Sequence, residues 1–242
     1  MVIICAVQCA SVAGDIATNI DRHLEWIEKA VAGGAQVVFF PELSLTGYQP
    51  GMAGELAMSI DDSRLDVFQQ CSDEHGLLIG VGLPLRVPLG VQIAMAWISP
   101  GKQRRVYVKQ TLHPDEEAFF VPGDASSLLE WCGHKMSPAI CFEALQSHHA
   151  KAASRQGADV YLASVAKSQG GIEKAMSYFP SISKQLRLTV VMANATGHCE
   201  AFEAAGQSTA WSVEGQRIDG LEAAGEGILF VDLAADGPAT VP

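Results

Sequence analysis

The chain has 242 residues, 48 % of them hydrophobic and 18 % charged, the proportions of a globular domain with a substantial core. Sixteen Lys and Arg against 27 Asp and Glu leave a formal net charge of −11, which argues against nucleic acid or an anionic membrane surface as a partner. No apolar run approaches the ~18 residues of a membrane span, the N-terminus turns polar too soon for an export signal, and the six cysteines form no C-x-x-C pair. The expectation is a cytoplasmic chain with reduced thiols and no zinc site, five of the six cysteines serving as small core residues.

Taken in chain order, residues 2–8 read as a strand, and apolar positions at Ile16, Ile20, Leu24, Ile27 and Val31 read as an amphipathic helix that Gly33-Gly34 ends. Residues 37–40 are apolar at every position, as in a strand covered on both faces. A helix over 63–75 and a strand over 77–81 follow. Strands over 92–99, 105–108, 128–131 and 135–141 then succeed one another through short turns, with 102–105 an exposed basic turn. Alternation returns with a helix over 143–155, a strand over 160–163, a loop at Gly170-Gly171, a helix over 172–188 and a strand over 189–194. A hairpin (208–213 with 216–219) and a strand over 227–232 complete the pattern, and 236–242 are expected to fray. Strands and helices alternating around a meander predict one domain, 1–242, of mixed sheets with helices on their outer faces.

Three chemistry-bearing residues fall at predicted strand ends: Glu42 after residues 37–40, Lys109 after 105–108, and Cys141 between a strand and a helix. Carboxyl ends of strands are where open α/β sheets place their ligands. A helix N-terminus and a nearby ammonium would both favour thiolate at Cys141. Each residue alone has a plainer reading, a solvated charge for Glu42 and Lys109 and a core thiol for Cys141. His148 and His149 are adjacent on the helix that follows, point in different directions and are read as surface residues, not metal ligands.

The local sequences sharpen the choice. Phe40-Pro41-Glu42-Leu43 with Leu45-Thr46-Gly47-Tyr48, then Tyr107-Val108-Lys109 with Leu112, then Ile140-Cys141-Phe142-Glu143 resemble, in that order, the three signature blocks of the nitrilase superfamily of carbon–nitrogen hydrolases. The resemblance implies a four-layer α-β-β-α sandwich and a Glu42-Lys109-Cys141 triad. It also implies a second glutamate, Glu116, selected over Glu117 by its distance to Pro122-Gly123, and substrate contacts from Phe142, Tyr48 and Ser164. The implied activity is hydrolysis of a small non-peptide amide through a Cys141 thioester; N-carbamoyl compounds and nitriles share the triad, and a non-enzymatic binding homologue is the alternative from another class. No metal and no organic cofactor is implied. Superfamily members usually pair, so a homodimer joined through residues 144–155 and 172–188 is expected. Two departures are visible. Tyr-Val-Lys stands where the family often has Tyr-Arg-Lys, and Ala144-Leu145-Gln146 follows the cysteine block where Phe-Pro-Glu is common, leaving the acyl and leaving groups unassigned.

Overall fold

The computed structural model describes residues 2–124 and 128–233; the expected fraying of 236–242 lies outside them. In chain order the elements are β1 (Ile3–Gln8), α1 (Ile16–Ala32), β2 (Val37–Phe39), α2 (Ala53–Leu56), α3 (Asp66–His75), β3 (Leu78–Val87), β4 (Gly90–Ile98), β5 (Arg105–Val108), β6 (Leu129–Trp131), β7 (His134–Ile140), α4 (Ser147–Arg155), β8 (Val160–Val165), α5 (Gln169–Leu186), β9 (Thr189–Asn194), β10 (Thr196–Cys199), β11 (Phe202–Ala205), β12 (Thr209–Trp211), β13 (Arg217–Gly220) and β14 (Gly227–Asp232). They build two six-stranded sheets, ordered β14-β1-β2-β3-β4-β5 and β13-β12-β9-β8-β7-β6, and a small β10-β11 ribbon. In the first sheet β1, β2 and β3 are parallel neighbours, and in the second β7, β8 and β9 are.

Side-chain alternation turns these sheets into layers. Ile4, Ala6 and Phe39 point inward and meet Ile140, Leu162 and Val191 of the other sheet, forming a core between the two sheets. Their chain neighbours Cys5, Val7 and Val38 point outward and are covered by Ile16, Ile20 and Ile27 of α1 and Phe68 of α3. On the far side Tyr161, Ala163 and Val190 pack under Ala150 and Ala153 of α4 and Ile172, Ala175 and Phe179 of α5. The result is helix, sheet, sheet, helix, a four-layer α-β-β-α sandwich. The unbroken apolar run at β2 follows from this, since both faces of that strand are buried.

Several local expectations are corrected. The helix expected over 143–155 is a 3-10 turn (Glu143–Leu145) followed by α4. Gly170 and Gly171 lie in the first turn of α5, not in a loop. Of the five cysteines expected in the core, Cys5, Cys9 and Cys199 are buried, Cys71 is half-buried and Cys132 is exposed. Cys132 sits in the β6-β7 turn with φ 49°, where the demands of the turn outweigh the usual preference of a thiol for the interior. The basic segment 102–105 is exposed except at Arg104, whose guanidinium binds the carbonyls of Ile60 and Asp62 and pairs with Asp66. The β10-β11 ribbon was not legible in the sequence, because Thr-Gly-His-Cys and Phe-Glu-Ala-Ala carry neither apolar alternation nor β-branched enrichment.

Candidate active site

Glu42 is held by a turn that rests directly on β3. Phe40 N–H donates to Gly80 O (3.0 Å) and Leu45 N–H to Gly82 O (3.0 Å). A methyl group at Gly82 would lie 2.4 Å from Pro41 O and 2.6 Å from Leu43 N, so no other residue lets the turn approach this closely. Leu43 takes φ 52°, and the turn buries the Glu42 carboxylate, 2 % exposed. Lys109 follows β5. Its N–H donates to Ile93 O and its carbonyl accepts from Gly123 N–H (both 2.9 Å), which drives the side chain inward to full burial.

These two meet a third charge. Lys109 Nζ lies 2.7 Å from Glu42 Oε1 and 2.6 Å from Glu116 Oε1. Glu116 closes the 3-10 turn Pro114–Glu116, and its Oε2 accepts from the N–H of His113 (2.7 Å), while Tyr48 OH donates to Oε1 (2.9 Å). Glu116 is 1 % exposed and Glu117 is exposed, so the structure brings Glu116, not its neighbour, to Lys109. Burial disfavours the Lys109 ammonium, but Glu42, Cys141 and Glu116 outweigh it and hold its pKa above the usual lysine value. For Glu42 burial raises the pKa, Lys109 opposes it and Glu116 adds to it; the balance is upward, toward a carboxylate able to accept a proton. Its Oε2 is buried without a hydrogen-bond partner among the described residues.

Cys141 ends β7 on the opposite sheet with φ 46°, a left-handed conformation that costs a non-glycine residue on the order of 1–2 kcal/mol. Its N–H donates to Ser164 O (3.0 Å) and Sγ lies 3.6 Å from Ala166 O. The expectation of a thiolate is corrected for this resting state. Burial, with Glu42 adding, pushes the thiol up to about 11, against the lowering effects of Lys167 and Lys109. The following turn spans three residues, too short for the dipole of a full helix. The thiol therefore needs a base to ionise it.

Cys141 opens onto a cavity of about 660 Å³ whose lining includes Tyr48, His113, Glu116, Phe119, Phe142 and Phe202. Phe142 stands edge-on to His113, ring centroids 5.1 Å apart. Ser164, expected at the substrate, is fully buried and outside this lining; its hydroxyl donates to Phe40 O (2.8 Å) and joins the two sheets beneath the site. His149, expected on the surface, is 6 % exposed. Tyr161 OH meets its Nδ1 and Tyr107 OH its Nε2, each at 2.7 Å, and Tyr107 in turn donates to Glu143 (2.5 Å). Helix α4 turns this histidine inward and leaves His148 exposed.

Two residues were missed by sequence reasoning. Glu143, fully buried, accepts from Ile140 N–H (2.9 Å) with one oxygen and from the N–H groups of Gln110 (2.6 Å) and Thr111 (3.1 Å) with the other. One carboxylate thus ties the segment after Lys109 to the residue before Cys141. It was legible as part of the cysteine block, though not its role. Lys167 places Nζ 3.2 Å from Cys141 O and 3.7 Å from Sγ, and no sequence signal pointed to it.

Comparison with known proteins adds to this geometry. The model of the carbon-nitrogen hydrolase family matches residues 3–240. A glutamine-dependent NAD(+) synthetase of Acinetobacter baylyi is 26 % identical over 76 % of this chain and 35 % of its own length. An (R)-stereoselective amidase of a Pseudomonas species is 26 % identical over 64 % of this chain and 57 % of its own, so the chain spans about a third to somewhat over half of these relatives. Among solved structures, an amidase of Nesterenkonia sp. AN1 superposes with a TM-score of 0.86 at 24 % identity, covering 98 % of this chain and 94 % of that one. A variant of that amidase in complex with butyramide matches with a TM-score of 0.86 at 25 % identity over 97 % of this chain and 92 % of that one.

Proposed function

This chain belongs to the carbon–nitrogen hydrolase family, and from that membership we propose that it is an amidase acting on a small non-peptide amide through a thioester on Cys141. One observation carries the reading: an ammonium clamped between two buried carboxylates, Glu42 and Glu116, backs the cavity onto which the only cysteine among its lining residues opens. In this reading Cys141 Sγ attacks the amide carbon as its proton passes to Glu42, whose upward-shifted pKa suits it to hold that proton. The carbonyl oxygen, now negative, is met by Lys109 and by the backbone N–H of Phe142. Collapse of the tetrahedral adduct expels the amine, which takes the proton from Glu42 and leaves a thioester. Glu42 then draws a proton from water, the hydroxide attacks the thioester carbon, and the acid departs as the proton returns to sulfur.

Glu116 is a positioning residue here, fixing Lys109 from the side opposite Glu42. Tyr48 acts through Glu116. The cavity's volume and its apolar walls, Phe119, Phe142 and Phe202, support a small substrate with a hydrocarbon or aromatic portion. A glutamate-to-glutamine variant of the Nesterenkonia amidase, which carries the acetamide moiety of fluoroacetamide on its active-site cysteine, gives a precedent in the same fold for a nucleophilic cysteine.

The test is ammonia release from a panel of aliphatic and aromatic amides, N-carbamoyl compounds and nitriles. Turnover of amides is expected. Turnover of nitriles alone would replace the reading with the activity named for a bromoxynil-specific nitrilase of Klebsiella pneumoniae, 27 % identical over 65 % of this chain. Silence across all three classes would favour a binding homologue.

A further inference from the structure

We propose that Lys167 is a second catalytic cation, one that acts on the sulfur of Cys141 and favours its thiolate. This rests on the reading of Cys141 as nucleophile and goes beyond it, since neither the triad nor Glu116 requires a cation on this side.

Lys167 lies just past β8, 6 % exposed, in the wall of the same cavity. Its Nζ approaches Cys141 Sγ at 3.7 Å and the carbonyl of that residue at 3.2 Å. Among the described residues no carboxylate lies within ion-pair distance of it, whereas Lys109 has two. A buried cation without an anion is costly, and the arrangement makes sense if its anion is made during the reaction. The placement is built, not incidental. Lys167 N–H donates to Asn194 Oδ1 (2.8 Å), and its carbonyl accepts from Ala205 N–H (2.8 Å) and Asn194 Nδ2 (3.3 Å). Gly171, one helical turn later, makes room for the stem, since a methyl there would lie 3.1 Å from Lys167 Cβ and 3.4 Å from Cγ. Gly170 beside it has open space and no such reason.

The charge count gives the chemistry. Before reaction, Glu42 and Glu116 face a single partner in Lys109 and the thiol is neutral. When the S–H bond breaks, the proton goes to Glu42 and the electron pair stays on sulfur. Lys109 is then left with Glu116, and Lys167 with the thiolate, so each cation has one anion. Lys167 gives up no proton in this step. Attack transfers the sulfur pair to the amide carbon and moves the carbonyl π pair onto oxygen. The other titratable groups facing Cys141 are Tyr48 and Cys199, with His113, Asp115 and Glu200 in the cavity wall.

The experiment uses the full chain and needs no substrate. The rate of alkylation of Cys141 by iodoacetamide, a neutral reagent, is followed by mass spectrometry of its peptide from pH 6 to 10. Lys167→Met and Lys167→Gln are compared with wild type, and thermal melting checks the fold. Gln retains a donor for Cys141 O without the charge, so it guards against a Met variant that fails to fold. Expected is an upward shift of the profile by about one unit and a rate near neutral pH lower by about tenfold. A folded variant with an unchanged profile overturns the proposal and leaves Lys167 a structural tie to the Cys141 carbonyl. A loss seen with iodoacetate but not with iodoacetamide also overturns it, assigning Lys167 to attraction of anions. A wild-type Cys141 that iodoacetamide does not alkylate anywhere from pH 6 to 10 would sink the nucleophile itself, an outcome distinct from either.

Discussion

The two sheets contribute unlike halves to one cavity. The first delivers Glu42 and Lys109 from strand ends and, through the loop after β5, Glu116, all three 2 % exposed or less and in contact at 2.6–2.7 Å. The second delivers Cys141, partly exposed and strained at φ 46°, with Lys167 beside it. In the proposed mechanism proton handling is thus kept dry, where electrostatic interactions are strong and geometry is fixed, while the proposed nucleophile, Cys141, faces the cavity. Glu143 is the bolt between the halves, binding backbone of both. A buried ionic cluster is weak evidence of stability, because desolvation offsets attraction. The closed half is better understood as pre-organisation for chemistry.

The strongest way to test this division is to remove the open half's contribution alone. Cys141→Ala is expected to lower turnover by about 10⁴-fold or more while melting within a few degrees of wild type, since Cys141 is not a fully buried core residue. Turnover near the wild-type rate on any authentic substrate would discard the mechanism.

A smaller effect probes the closed half. Glu116→Gln keeps the volume but removes the charge from Lys109, and turnover is expected to fall on the order of 10²-fold. Glu117→Gln, on the exposed neighbour, is expected to stay within a few-fold of wild type. Steady-state kinetics on the pair checks it, and a loss at Glu117→Gln with none at Glu116→Gln would show that the cluster does not depend on Glu116.

The smallest effect concerns what supports the closed half from below. His23, 3 % exposed, places Nδ1 2.6 Å from Asn19 O and Nε2 2.9 Å from Ser44 Oγ, and its ring lies 4.0 Å from that of Phe40. Burial holds its pKa at about 4 against an ordinary 6.5. Between those values the unfolded chain binds the proton and the folded one does not, so stability rises with pH. The contribution is whole above about 6.5 and is lost progressively as pH falls toward about 4, an amount on the order of 3 kcal/mol. Thermal melts from pH 7.5 to 4 are expected to show a flatter acid slope in His23→Gln than in wild type. Equal slopes would move the origin elsewhere, with His149 of the open half, whose pKa burial also lowers, the next to examine.

What the chain settled by itself is local. Apolar runs and helical periodicity at residues 3–8, 16–32, 37–39, 105–108, 189–194 and 227–232 marked elements that recur in the structure nearly unchanged, because burial on known faces dictates those patterns whatever the partner. The same reading put Glu42, Lys109 and Cys141 at strand ends, and the resemblance to the nitrilase superfamily, through the distance to Pro122-Gly123, singled out Glu116. What only the tertiary structure decided depends on approaches between residues far apart in sequence. The inward turn of His149 answers to Tyr107 and Tyr161, the burial of Ser164 to Phe40, and the helical conformation of Gly170-Gly171 to the packing of Ile172, Ala175 and Phe179. The raised pKa of Cys141 is set by the desolvation and the Glu42 charge that the facing sheets bring to a partly exposed thiol, which its own strand and turn do not encode. Lys167 belongs to the same class. A lysine after a strand looks like a solvated charge until a second strand brings a sulfur to its ammonium, since direction and burial of a long side chain are properties of its neighbours, not of its place in the chain.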